Sequence, residues 1–216
     1  MKRVKVAPSL LAADWSRVGQ EALDVEKAGA DLLHLDVMDG RFVPNITFGV
    51  DMVKALGRCT ELPLDVHLMI VEPEKFVEGF AKAGADIITV HAEASVHLHR
   101  LLEMIREHGV KAGVSVNPGT PLGLVEPVLS MIDLLLIMTV NPGFGGQTFI
   151  AGMEQKVKAA RKLLTAHHSA AELQVDGGVN ADTAPCLIRG GASILVAGSF
   201  VFGHQDRAAR IRALRG

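Results

Sequence analysis

One phrase recurs along the chain and constrains its architecture more than any other feature. KAGAD stands at Lys27–Asp31 and again at Lys82–Asp86, and each copy runs straight into an apolar stretch, LLHLDV after the first and IITVHA after the second. Fainter echoes are HGVK before AGVSV and RGGAS before ILVAG. Amphipathic stretches such as WSRVGQEALDVEKAG and EKFVEGFAKAG precede the phrase, with apolar residues at helical spacing. The glycine reads as a helix stop, because it tolerates the left-handed conformation past a last turn. The unit is therefore helix, glycine stop, short buried strand, polar loop, helix.

Eight apolar runs fit the strand slot: VKVAPS, LLHLDV, LDVHLM, DIITVHA, AGVSV, LLLIMTV, LQVDGG and SILVAGS. Near-continuous apolar runs are expected of parallel strands covered on both faces. Eight such units in 216 residues suit an α/β fold, a (β/α)8 TIM barrel, better than the alternative of an open doubly wound sheet. No linker or low-complexity run divides the sequence, so residues 1–216 are expected to form a single domain.

The hydrophobic fraction of 49% is that of a core-rich globular protein. A formal net charge of −2 gives no electrostatic case for nucleic acid or a membrane surface as partner. The basic tail DRAARIRALRG reads as the solvated face of a last helix. The N-terminal apolar stretch, broken by Pro8 and Asp14, makes a poor signal peptide, and no window approaches a membrane span. Cys59 and Cys186 lack metal or redox spacing and are expected as reduced thiols. A soluble cytoplasmic protein is the expectation.

Polar residues interrupt the buried strands at one end. In the second run His34, Asp36 and Met38 share one face while Leu33, Leu35 and Val37 share the other. A buried strand carries an imidazole and a carboxylate only where something compensates them. His67 ends the third run and Asp176 the seventh. In a barrel all these ends meet at one mouth. A lone strand-end histidine is usually a hydrogen-bonded core residue, but two histidines and two carboxylates on three strands suit a tetrahedral site for a divalent metal. Asp65 either orients His67 or faces a helix in a salt bridge. Asp39 reads as a turn residue before Gly40. His91 and Glu93 end the fourth run, where a structural role is favoured. His97, His99, His108, His167, His168 and His204 are expected at the surface.

Glycines cluster at the same end: Asn141–Phe149 reads NPGFGGQTF, Gly177 and Gly178 follow the seventh run, and Gly198–Ser199 close the eighth. Barrels commonly bind phosphate through backbone N–H groups of the loops after strands seven and eight. An anionic ligand is expected there, and the Asn141–Phe149 loop is expected to close over it.

The phrases APSLLAAD, LHLDVMDGRFVPNITFG, DVHLMI, NPGFGGQ, DGGVN and VAGSFVFG, in this order and spacing, closely resemble the ribulose-phosphate 3-epimerase family over essentially the whole chain. The resemblance implies a ribulose-phosphate-binding barrel and metal-dependent interconversion of D-ribulose 5-phosphate and D-xylulose 5-phosphate. By matching positions it makes His34, Asp36, His67 and Asp176 the ligands of one divalent metal ion per subunit. Zn2+ or Fe2+ is favoured, and Mn2+ or Co2+ is compatible with the same donors. Asp36 and Asp176 match the acid/base pair. Ser9, His67, Gly143, Phe144, Gly145, Gly146, Asp176, Gly177, Gly178, Gly198 and Ser199 match substrate and phosphate contacts. Met38, Met69 and Met138 match methionines around the reacting atoms, although core filling is the plain alternative, and the inward parity of Met138 is open. Phe200 departs from the smaller residue common after Ser199, which touches packing beneath the phosphate but no group needed for the chemistry. The resemblance also implies a small phosphorylated ketose as partner, a homo-oligomer and a place in carbohydrate metabolism, the pentose phosphate pathway. Competing readings are a 3-epimerase of a six-carbon ketose phosphate such as D-allulose 6-phosphate, a metal-free barrel decarboxylase or isomerase, and a phosphosugar-binding scaffold.

Overall fold

Each of the eight apolar runs forms a parallel strand in the computed structural model, which describes residues 3–216. The strands are β1 (Lys5–Pro8), β2 (Leu33–Met38), β3 (Leu64–Met69), β4 (Ile87–His91), β5 (Lys111–Val116), β6 (Leu134–Met138), β7 (Glu172–Asp176) and β8 (Ile194–Ala197). Ladders join them in the order β1-β8-β7-β6-β5-β4-β3-β2. A parallel bridge between Ser9 and His34 brings β1 back to β2, so the sheet wraps into a nearly closed barrel.

Helices α1 (Val18–Lys27), α2 (Val50–Leu56), α3 (Val77–Ala83), α4 (Leu98–Glu107), α5 (Met153–Ala166), α6 (Ala184–Arg189), α7 (Ser199–Phe202) and α8 (Arg207–Arg215) surround it. The fifth unit departs from the repeat. Between β5 and β6 the chain makes only two 3-10 turns, Leu122–Leu124 and Glu126–Val128. Pro121 and Pro127 explain the difference, since an interior proline removes a donor and clashes with the preceding turn.

Strand alternation divides the core into layers. Leu33, Leu35 and Val37 pack outward with the helices, as do Val66, Leu68, Val114 and Val175. Inside the barrel Ala7, Leu134, Leu136, Met138, Ile194 and Val196 form a second apolar cluster, which fixes the inward parity of Met138. Met38, Met69 and Val43 form a third cluster.

The recurring phrase has a structural meaning at its last residue. The glycines Gly29, Gly84, Gly109 and Gly191 all adopt positive φ, as helix stops should. The residue just ahead of each even strand then grips its neighbour twice. Asp31, Asp86, Asp133 and Ser193 donate their own N–H to the carbonyls of Val6, Leu64, Ala112 and Leu173. Their side chains accept the N–H of those same four residues, all eight distances lying between 2.8 and 3.0 Å. Four reciprocal clamps, one per pair of strands, thus hold the N-terminal end of the barrel. Arg3 and Arg215 both pair with Asp31, tying the last helix to this end. Among the described residues no helix is long and apolar enough to cross a membrane, and Cys59 and Cys186 are free.

Candidate active site

At the opposite end the strand-end polar residues converge. His34, Asp36, His67 and Asp176 each present one ligand atom, and these atoms lie within 4.8 Å of one another. Register explains the meeting: β2 and β3 pair Asp36 with His67 side by side, while β7 supplies Asp176 across the mouth. His34 Nε2 lies 3.3 Å from Asp36 Oδ1 and 3.9 Å from Asp176 Oδ2, and His67 Nδ1 lies 3.2 Å from Asp36 Oδ1. Ligand bonds of about 2.1 Å in a tetrahedron put neighbouring donors about 3.4 Å apart, which matches this spacing. His34 and His67 are fully buried, and Asp36 is 3% exposed. His34 Nε2 is buried with no hydrogen-bond partner among the described residues. An orphaned nitrogen aimed into a set of nitrogen and carboxylate donors is what a site for a divalent cation requires.

The outer partners differ from the sequence expectation. Asp65 does not orient His67; its Oδ2 accepts a hydrogen bond from His34 Nδ1 at 2.7 Å and from Gln174 Nε2 at 2.5 Å. Its inward parity was readable, but which imidazole it met depended on side-chain reach across the barrel interior. His91 is no ordinary core histidine either, for its Nε2 lies 2.8 Å from His67 Nε2. Asp39 does serve the turn, accepting from the N–H groups of Arg41 and Phe42, and it also receives the N–H of Val71.

Electrostatics separate the two carboxyl groups. Burial and the neighbouring Asp36 push Asp176 up to about 7. Burial would raise Asp36 as well, but His34 and His67 beside it hold it well below the usual carboxylate range. His34 is raised well above its ordinary value, because Asp36 and Asp65 outweigh burial, whereas burial takes His67 down to about 4. Their surroundings thus push the two carboxyls in opposite directions.

A cavity of roughly 640 Å3 opens over this centre. Asp36 and Asp176 face it, with Ser9, whose Oγ donates to Asp36 Oδ2 at 2.5 Å. Met38, Met69 and Met138 supply apolar wall. His34 and His67 do not line it, their rings being fully enclosed. Gly143, Phe144, Gly145, Gly146, Gly177, Gly178, Gly198 and Ser199 form the far wall. Gly177 and Gly178 have φ of +117° and +65°, and a Cβ on them would sit 2.8 Å from Val140 N and 2.4 Å from Phe149 N. Glycine is required there first because the loops after β6 and β7 lie against each other. Phe144 is 56% exposed at the rim. Phe200 and His204 also line the wall, their rings 6.1 Å apart. His204 is exposed as expected, but on the cavity rim, a position its loop sequence did not signal.

The sequence model of the Ribulose-phosphate 3 epimerase family matches residues 5–202. Ribulose-phosphate 3-epimerase of Bacillus subtilis (strain 168) is 55% identical over 214 residues, covering 99% of both chains. The chloroplastic ribulose-5-phosphate-3-epimerase of Arabidopsis thaliana is 52% identical, covering 97% of this chain and 75% of that protein.

The chain belongs to the ribulose-phosphate 3-epimerase family. It is an enzyme of that family, an isomerase acting on carbohydrates. Among solved structures, a mutant tryptophan synthase alpha-subunit from Pyrococcus furiosus superposes with a TM-score of 0.72 at 15% identity, covering 99% of this chain and 98% of that one. A 3-hexulose-6-phosphate synthase superposes with a TM-score of 0.62 at 20% identity, covering 99% and 98%. These distant likenesses speak for the barrel alone.

Proposed function

We propose that this family member interconverts D-ribulose 5-phosphate and D-xylulose 5-phosphate by inverting C3 with two carboxyl groups, Asp36 and Asp176, in a metal-dependent site. The observation that carries the reading is the pair itself: two carboxyls from different strands, facing one cavity. Inversion next to a ketone removes the C3 proton from one face of the substrate and returns a proton to the other, through a planar enediolate. One of the two carboxyl groups takes the proton and the other delivers one from the opposite side, and the reverse reaction exchanges the roles. Ser9 holds the Asp36 carboxylate in register through its 2.5 Å hydrogen bond.

His34 Nε2, Asp36, His67 Nδ1 and Asp176 would hold one divalent ion, with Zn2+ or Fe2+ best suited and Mn2+ or Co2+ compatible. When bound, it supplies Lewis acidity toward the substrate's oxygens, worth several kcal/mol of charge stabilisation. Met38, Met69 and Met138 wall off the reacting carbon with soft side chains that carry no exchangeable proton. The glycine-lined loops at Gly143–Gly146, Gly177–Gly178 and Gly198–Ser199 receive the phosphate through backbone amides.

NMR of the products formed from D-ribulose 5-phosphate and from D-allulose 6-phosphate tests this, using protein stripped by a chelator and then reloaded with Zn2+, Fe2+, Mn2+ or Co2+. The expected result is D-xylulose 5-phosphate from reloaded enzyme only. Faster turnover of the six-carbon phosphate overturns the substrate assignment, and full activity in stripped protein overturns the metal dependence.

A further inference from the structure

The two histidines of the centre turn different nitrogens toward it. His34 presents Nε2, its Nδ1 being engaged by Asp65, whereas His67 presents Nδ1. An imidazole ligand must leave the presented nitrogen unprotonated, so the two rings need opposite tautomers. Nothing in a strand enforces that choice for His67.

The interior of β4 does. His91, last residue of β4, is fully buried, with its Nε2 2.8 Å from His67 Nε2 and its Nδ1 3.2 Å from Glu93 Oε2. The ring of Phe42 covers it, centroids 4.7 Å apart. Glu93 lies at the solvent edge, where its Oε1 accepts the Asn117 N–H at 2.8 Å and a hydrogen bond from Thr120 Oγ1. Those donors reward an ionised carboxylate, and an ionised carboxylate can only accept. His91 then donates its Nδ1–H to Glu93, and in the neutral ring this leaves Nε2 as an acceptor. His67 must fill that acceptor with its Nε2–H, and its Nδ1 is left bare toward Asp36. With a cation on His67 Nδ1 separating it from Asp36, this arrangement satisfies the whole chain of contacts.

We propose that Glu93 and His91 are positioning residues that dictate the tautomer of His67 and thereby make its Nδ1 a metal ligand. The inference rests on the metal reading of His34, Asp36, His67 and Asp176 and extends it two residues outward to solvent. Asp65 and Gln174 form the matching arm for His34, also buried, so one ligand is oriented from within the barrel and the other from its surface.

Two measurements on the full chain test this. Long-range 1H–15N NMR assigns the protonated nitrogens of His67 and His91 in Zn2+-loaded wild type. Chelator competition gives the Zn2+ affinity of wild type, Glu93→Gln, Glu93→Asp, His91→Phe and Thr120→Val, each checked for folding by circular dichroism. The expected results are protons on His67 Nε2 and His91 Nδ1 in Zn2+-loaded wild type and affinity lowered roughly 10-fold or more in Glu93→Gln and His91→Phe. Affinity is restored toward wild type in Glu93→Asp and unchanged in Thr120→Val, which touches only the far side of Glu93. A proton on His91 Nε2 in Zn2+-loaded wild type, a result that needs no variant to fold, overturns the inference. So does equal affinity in all folded variants while wild type binds one Zn2+. A wild-type chain that takes up no stoichiometric Zn2+ overturns the metal reading itself together with this extension.

Discussion

The two ends of the barrel carry carboxylates in opposite circumstances. At the N-terminal end Asp31, Asp86 and Asp133 each meet a backbone N–H of the preceding strand, and Asp31 has two arginines as well. At the C-terminal end Asp36 and Asp176 are sunk beside each other, and Asp176 gains so little compensation that it titrates near 7. The same residue type is fully paired at one end and, in Asp176, left largely uncompensated at the other. Stability and reactivity are thereby separated by the length of a strand, as is usual for a fold with its site at one rim.

The largest effect that would sharpen this contrast is at the mouth. Asp176→Asn should lower turnover by about 10²–10⁴-fold. Metal-free Asp176→Asn should nonetheless melt no lower than metal-free wild type, since the lost carboxyl is one that burial and Asp36 both disfavour. Steady-state assays with thermal melts check both halves, and a clear loss of stability would break the comparison.

Asp31→Ala should show the reverse. It leaves the Val6 N–H without its acceptor and Arg215 without its carboxylate, and should cost about 1–3 kcal/mol. Melting should fall by about 2–4 °C per kcal/mol for a chain of this size, with kcat of the folded enzyme unchanged. Ser193→Ala removes the neutral version of the same clamp and should cost less, on the order of 1 kcal/mol, by the same measurement.

A smaller effect concerns acid. Burial would raise the Asp31 carboxyl, but the Val6 N–H, Arg215 and Arg3 hold it below its ordinary value. A carboxylate depressed in the folded state stabilises above its unfolded pKa of about 4 and loses that contribution as pH falls through the folded value. The stability gap between wild type and Asp31→Asn should therefore be constant above about pH 5 and close below it. Denaturant melts from pH 7 to pH 3 would show this, and a gap independent of pH would refute the assignment.

Much of this division was legible in the sequence. Strand parity alone placed His34, Asp36 and Met38 on one face and Leu33, Leu35 and Val37 on the other, and the layers follow that split. The KAGAD phrase announced the repeating unit, and its glycine behaved as read. Its aspartate did not declare its role, because a carboxylate after a helix stop looks like any turn residue until the neighbouring strand's N–H is in view. The missing fifth helix went unread, although Pro121 and Pro127 stand in that segment. The sequence left Asp65 between orienting His67 and facing a helix, and its meeting with His34 went unread, since it depends on side-chain reach across the interior. The role of His91 was hidden for the same reason: nothing in TVHAEA says that its ring meets that of His67. Sequence fixes faces well and partners poorly.

The central claim is that Asp36 and Asp176 together invert C3. Its most direct test is the fate of the C3 hydrogen when D-ribulose 5-phosphate is epimerised in D2O by metal-loaded wild type and by Asp176→Asn. The account predicts D-xylulose 5-phosphate carrying deuterium at C3 from wild type, and neither product nor its label at a comparable rate from the variant. Product that keeps its original C3 hydrogen, or an Asp176→Asn chain that labels and epimerises as fast as wild type, would contradict it.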